Sequence, residues 1–131
     1  ARLPEDLSLV AQGDNGIESG YRCAAQLLDL SEPPTAIFAG NDEMAVGVML
    51  AALQKSYMIP EHLSIVGFDD ASIGRQVQPK LTTITQSIDE IARVSVGYLL
   101  KMIERKKNLP QCVQIPTRLI TRSSCGVART H

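Results

Sequence analysis

The sequence predicts an α/β fold: a parallel sheet with helices on both faces. Three observations predict it. Short apolar runs alternate with amphipathic stretches of helical spacing along the chain. The run TAIFA at 35–39 is continuous and brief, as a buried strand is. The apolar runs also end in polar turn residues, Asp14-Asn15, Asn41-Asp42 and Asp69-Asp70, where open α/β sheets hold ligands.

Residues 7–11 (LSLVA) read as a first strand, closed by the turn cluster Gly13-Asp-Asn-Gly16. Ile17, Tyr21, Ala24, Ala25 and Leu28 then share one helical face. Asn15 with Glu18 has the form of a capping box for that helix, and Pro33-Pro34 forbids its continuation. Strand 35–39 follows, and Asp42 is the expected N-cap of a helix running to about residue 56. Ala45, Val48, Met49, Ala52 and Leu53 form its stripe, yet Val46 and Leu50 lie off it. One sheet face needs only the stripe, so Val46 and Leu50 point to a second burial, against another subunit.

Residues 63–68 form the third strand, with Pro60 breaking the chain before it. The connection 71–80 leads to a β-branched strand at 81–85 that Gln86 closes. Ser87-Ile-Asp-Glu90 matches a capping box, and Ile88, Ile91, Ala92, Ser95, Tyr98, Leu99 and Met102 make one continuous stripe. Residues 113–121 read as a closing strand, confined by Pro116 to an edge or a bulge.

The 131 residues suit one domain, and a net charge of −1 gives no overall attraction to nucleic acid or anionic membrane. No apolar run approaches the roughly 20 residues of a membrane span. Cys23, Cys112 and Cys125 are odd in number and widely spaced, and His62 and His131 are the only other soft ligands. No metal site and no cofactor are expected, and a reducing cytoplasm is the natural setting. The opening Ala1-Arg-Leu-Pro reads like the middle of a longer protein, so the chain is expected to be a piece of one.

Enzymatic templates fail. The chain has no G-x-S-x-G elbow, no G-x-x-x-x-G-K-[ST] loop and no G-x-G-x-x-G fingerprint. Asp69-Asp70 lacks the further carboxylates and lysine of a phosphoacceptor site, and His62 lacks a partner. The chain is therefore not expected to be an enzyme. The basic run from Lys101 to Lys107 sits at a helix C-terminus, where the helix dipole favours cations. Met44, Met49 and Met58 read as core or interface fillers. Recognition remains. Asn41 and Gln86 both donate and accept, while an ionised Asp69 only accepts, a set suited to hydroxyl-rich ligands. Asn41 and Asp69 read equally well as turn formers, Asp42 as a helix cap and Asp70 as a loop-stabilising residue.

Three segments carry a family resemblance. PTAIFAGNDEMAVG at 34–47, IPEHLSIVGFDD at 59–70 and PKLTTITQ at 79–86 resemble, in order and spacing, motifs of the lactose-repressor/galactose-repressor (LacI/GalR) transcription regulators. The similarity runs from about residue 7 to 124. It implies a two-lobed fold like the periplasmic sugar-binding proteins, with a small-molecule effector in the cleft between lobes. Residues 1–80 and 112–131 would form most of the C-terminal lobe. Residues 81–111 would cross over and lend a helix at 88–106 to an N-terminal lobe. Operator DNA would be read by an upstream helix-turn-helix outside this chain.

By the same resemblance, the effector, a sugar or nucleoside, would meet Asn15, Asn41, Asp69 and Gln86. The position matching Asn15 often carries a stacking aromatic, from which asparagine departs. Gln12-Gly-Asp14 and Glu18-Ser-Gly-Tyr21 look most like the purine- and cytidine-repressor branch. Family members dimerise through the helix matching 43–56 and the connection after the third strand, which makes Val46, Leu50, Ile73 and Val77 the expected interface. The stripe of helix 88–106, parted from the lobe it serves, calls for an intersubunit contact or a docking elsewhere. The rival readings are a periplasmic sugar-binding protein of an uptake system and an α/β enzyme using Asp69.

Overall fold

The structure, a computed structural model, describes residues 6–106 and 110–127. Ala1, Lys107 with the end of the basic run, residues 107–109 of the crossover segment, and His131 lie outside the described residues. Helix α1 (Ile17–Leu28) precedes strand β1 (Ala36–Phe38), and α2 (Asp42–Gln54) precedes β2 (Ser64–Phe68). A single-turn α3 (Ile73–Gln76), β3 (Thr82–Thr85), α4 (Ile88–Ile103) and β4 (Arg118–Ile120) complete the order.

The strands form one sheet in the order β1-β2-β3-β4. β1, β2 and β3 run parallel, with Phe38 opposite Val66 and Phe68 opposite Ile84. Their C-terminal ends therefore lie side by side. β4 pairs antiparallel with β3 at the edge, consistent with Pro116 just before it. The strand ending in Gln86 thus belongs to the same sheet as those ending in Asn41 and Asp69.

Ile37, Leu63, Ile65 and Leu81 from the sheet layer pack with Ala24, Leu27 and Leu28 of α1 and with Ala45, Val48, Met49, Ala51 and Ala52 of α2. α2 lies against β2, and α1 lies along α2. The two helices touch backbone to backbone. A Cβ on Gly20 would stand 2.2 Å from the Met44 carbonyl oxygen, and one on Gly47 would stand 2.0 Å from that of Ile17. The neighbouring positions of β1 point away from this core, and Phe38 is 62% exposed.

Local details depart from the sequence expectations. Residues 7–11 are not a strand: Leu7–Leu9 is a 3-10 turn. The Asp6 carboxylate accepts from the Ser8 amide at 2.9 Å and the Ser8 hydroxyl at 2.6 Å, local bonds that compete with a strand ladder. The capping box of α1 is absent. Gly16 occupies the cap position, Asn15 adopts a left-handed φ of 71°, and Asp14 accepts from the Gly16 amide at 3.0 Å. Ser87 likewise makes no side-chain cap bond. The cap of α2 is Asn41, one residue before the expected Asp42.

Helix α4 forms where its stripe predicts, but it carries no buried residue; Leu99 is 57% and Met102 55% exposed. Among the described residues the stripe stays largely open, although Val94, Tyr98 and Leu99 share a shallow pocket with Pro110, Gln111 and Val113. The Tyr98 hydroxyl donates to the Pro110 carbonyl, tying the helix to the returning segment. Among the described residues no helix is long and apolar enough to cross a membrane.

Candidate functional site

The four predicted ligand residues gather at the C-terminal ends of β1, β2 and β3, as two hydrogen-bonded pairs. The Gln86 amide donates to Asp69 Oδ1 at 2.6 Å. The Asn41 amide donates to the Asn15 carbonyl at 2.9 Å. Asn15 and Asp69 are exposed, whereas Asn41 and Gln86 are half-buried. Because β1, β2 and β3 are adjacent and parallel, the two pairs fall at one edge of the sheet, an open rim rather than a closed chamber. The cavity of about 330 Å³ beside β1 is walled by residues such as Val10, Cys23, Ala24 and Phe38, and none of the four borders it.

Asn41 is structural as well as polar. Its Oδ1 accepts from the Met44 amide at 2.8 Å and so caps α2. The same carboxamide fixes the Asn15 turn by its other end. Each group keeps unused capacity, since an amide NH₂ has two protons and a carbonyl oxygen two lone pairs.

The turn carrying Asp69 is unusual. Asp69 and Asp70 have φ of 101° and 53°, and Asn15, bonded to Asn41, has 71°. Left-handed backbone is uncommon outside glycine and clusters at functional turns. Three anchors hold the Asp69-Asp70 turn. The Asp69 amide donates to the Ile84 carbonyl at 2.8 Å. The Ala71 amide donates to Asp42 Oδ2 at 2.7 Å. The Asp70 carboxylate receives Arg122 at 2.5 Å and Arg75 at 3.2 Å.

Sequence reading placed Asp70 as a loop stabiliser, and that is its place. It read Asp42 as a helix cap, a place Asn41 takes, and did not single out Thr83, Arg122 or Ser124. Asp42 is 1% exposed, and its Oδ1 accepts the Thr83 hydroxyl at 2.5 Å. Burial pushes its carboxyl above the ordinary 3.8, aided by the charges of Asp69 and Asp70, while the bonds from Thr83 and Ala71 pull the other way. The signal for this cradle was Gly67, a glycine inside a strand. A Cβ there would stand 2.2 Å from Asp42 Oδ1. Ser124 stitches the sheet beneath: its hydroxyl accepts from the Thr82 amide at 2.8 Å and donates to the Ile65 carbonyl at 2.6 Å.

A second surface feature is an apolar groove of about 550 Å³ on α2. Val46, Leu50 and Val77 line it, joined by Leu53, Tyr57 and Met58; Ile73, the fourth predicted interface residue, does not. Val46 is only 8% exposed and belongs largely to the chain's own packing, whereas Leu50 is 47%, Met58 53% and Leu53 73% exposed.

Among the described residues no cluster of three or more histidine, cysteine or carboxylate side chains is arranged to hold a metal ion. The rim offers one acceptor-only carboxylate flanked by amides. That set can orient and hold a polyhydroxylated molecule by hydrogen bonds.

The family model of the periplasmic binding protein-like domain matches residues 1–125. The chain is 39% identical over 123 residues to the HTH-type transcriptional repressor PurR of Escherichia coli O1:K1, covering 94% of this chain and 36% of that protein. It thus spans about a third of that curated relative's length. A regulatory protein of the LacI family from Chloroflexus aggregans superposes with a TM-score of 0.87 at 34% identity, over 95% of this chain and 45% of that one. A LacI family transcriptional regulator from Enterococcus faecium, solved with bound ribose, gives 0.75 at 34% identity, over 86% of this chain and 41% of that one.

Proposed function

The chain belongs to the periplasmic binding protein-like domains, as the C-terminal effector-binding region of a LacI/GalR-type regulator, and we propose that its rim is half of an effector site. The observation that carries the proposal is the pairing of Asp69 with Gln86 beside Asn41 with Asn15, on three adjacent strand ends. An open rim is what one lobe of an interlobe cleft presents. The other lobe would close over it, and residues 81–111 would cross into that lobe.

The ligand class is a sugar or a nucleoside. Asp69 would accept from a ligand hydroxyl, and the Gln86 and Asn41 amides would donate to ring or hydroxyl oxygens. No covalent step is involved. Effector would act by binding one arrangement of the lobes more tightly than the other, and so shift the affinity of an upstream headpiece for operator DNA. This work would take place in the cytoplasm. The groove on α2 would seat a second copy of the chain about a two-fold axis.

The test is a thermal-shift screen of the full-length protein against sugars and nucleosides. A ligand that binds only the folded state raises the melting temperature. Asp69→Ala should abolish the shift given by any true effector. An unchanged shift in that variant would remove Asp69 from the site.

A further inference from the structure

We propose that Asp42 is the positioning residue of the effector site, its buried carboxylate fixing the left-handed turn that aims Asp69. The inference rests on the reading of Asp69 as a ligand contact. Asp42 itself does not reach the rim. It acts through the turn.

All three amides of that turn are anchored, each to a different acceptor. Asp69 donates to the Ile84 carbonyl at 2.8 Å, Asp70 to the Thr83 hydroxyl oxygen at 3.4 Å, and Ala71 to Asp42 Oδ2 at 2.7 Å. Two of the three acceptors form one chain, because the Thr83 hydroxyl donates to Asp42 Oδ1 at 2.5 Å. Removing the carboxylate therefore loosens Ala71 directly and Asp70 through Thr83. Only the Asp69 amide keeps its own ladder bond. Backbone at φ of 101° and 53° persists in residues bearing a Cβ when surrounding contacts compel it.

The cradle is specific to a short carboxylate. Gly67 and Gly74 wall it, with Cβ positions that would lie 2.2 Å and 3.4 Å from the two Asp42 oxygens. An asparagine fits the space, but its NH₂ cannot accept from a second donor. A glutamate overfills it. Burial raises the Asp42 pKa, so the fold bears a desolvation cost there, which the two donors partly offset. At the first position of α2 a solvated aspartate would serve the helix equally well. The buried position serves the turn.

The test compares Asp42→Asn and Thr83→Val with the wild type in the full chain, by hydrogen exchange read with mass spectrometry. Peptides across residues 66–73 report the turn, and peptides across 48–54 report α2. D-ribose and adenosine are titrated by calorimetry in parallel, with Asp69→Ala included. The expected result is turn exchange about tenfold faster in Asp42→Asn, with α2 unchanged, and a loss of affinity of about tenfold for a probe that binds the wild type. Thr83→Val should move the same peptides less. Unchanged turn protection in both variants, or equal acceleration in both peptides, overturns the proposal. Binding lost in Asp69→Ala but kept in Asp42→Asn also overturns it. Binding unaffected by Asp69→Ala instead overturns the reading of the site. If neither probe binds, the exchange comparison alone decides.

Discussion

Arg122, just beyond the last strand, donates to the Asp70 carboxylate at 2.5 Å and to the Leu81 carbonyl at 2.8 Å, from 52 and 41 positions away in the chain. Its own amide donates to the Thr82 hydroxyl at 2.9 Å. One residue thus joins the turn after β2, the entry to β3 and the exit from β4. If β3 and β4 lead to and from a second lobe, a force on either reaches the Asp69 turn through this guanidinium.

The Arg122 and Asp70 side chains are 14% and 20% exposed, so Arg122→Met leaves a poorly solvated carboxylate with, among the described residues, only Arg75 paired to it. The expected cost is about 2 kcal/mol, read as a lowered urea midpoint at constant slope. Arg75 is 53% exposed, and Arg75→Ala should change stability by less than about 0.5 kcal/mol. Equal effects from the two variants would contradict the burial argument.

Asp42 should leave a mark on the pH dependence of stability. Its pKa is raised in the folded chain, so between the unfolded and the folded values the native state holds a proton that the unfolded state has already released, and above the folded value both states carry the carboxylate. Such a group adds stability below its unfolded pKa and loses it as pH rises through the folded value. Subtracting the Asp42→Asn stability curve from that of the wild type should give a difference that declines with rising pH from 3.8 upward. Asp14 shifts the other way, held low by the Ser19 hydroxyl and the Gly16 amide, and its contribution fades as pH falls. It cancels in the subtraction. A difference that rises with pH would show that Asp42 is not desolvated.

Gly67 and Gly97 make a contrasting pair. An alanine Cβ at 67 would lie 2.2 Å from Asp42 Oδ1 and 2.9 Å from Leu81 Cδ2, both in the interior. Gly67→Ala should therefore cost about 3 kcal/mol or more. Among the described residues nothing lies within 4 Å of a Cβ at 97, and Gly97→Ala should stabilise α4 by up to about 1 kcal/mol through helix propensity. Thermal melts of the two variants check both signs.

The sequence was most legible where periodicity carries the signal. The stripes beginning at Ile17 and Ile88 located α1 and α4, and the polar strand ends located the rim. It was least legible where short side chains choose between partners. Asn15, Asp42 and Ser87 all looked like caps, yet Asn15 became a left-handed turn, Asp42 was buried and Asn41 took the cap. Local pattern cannot separate these outcomes, because each depends on a partner from elsewhere: the Ala71 amide and Thr83 hydroxyl as donors to Asp42, and the Asn15 carbonyl as acceptor for Asn41. Arg122 gave no local signal, since its partners lie some forty positions upstream or more.

Exposure decides which residue of the α2 groove can be mutated without disturbing the fold. Val46→Arg puts a charge at a position only 8% exposed, so loss of association there would be confounded by loss of folding. Leu50 and Leu53 are 47% and 73% exposed on the same groove, and an arginine at either can point to water in a monomer. If the groove seats a second copy, as proposed, Leu50→Arg should keep the melting temperature of the isolated subunit while shifting sedimentation from dimer to monomer. Ile73→Arg, at a residue that does not line the groove, should leave the dimer intact. A dimer that survives Leu50→Arg and Leu53→Arg together would place the subunit contact on a different face of the chain.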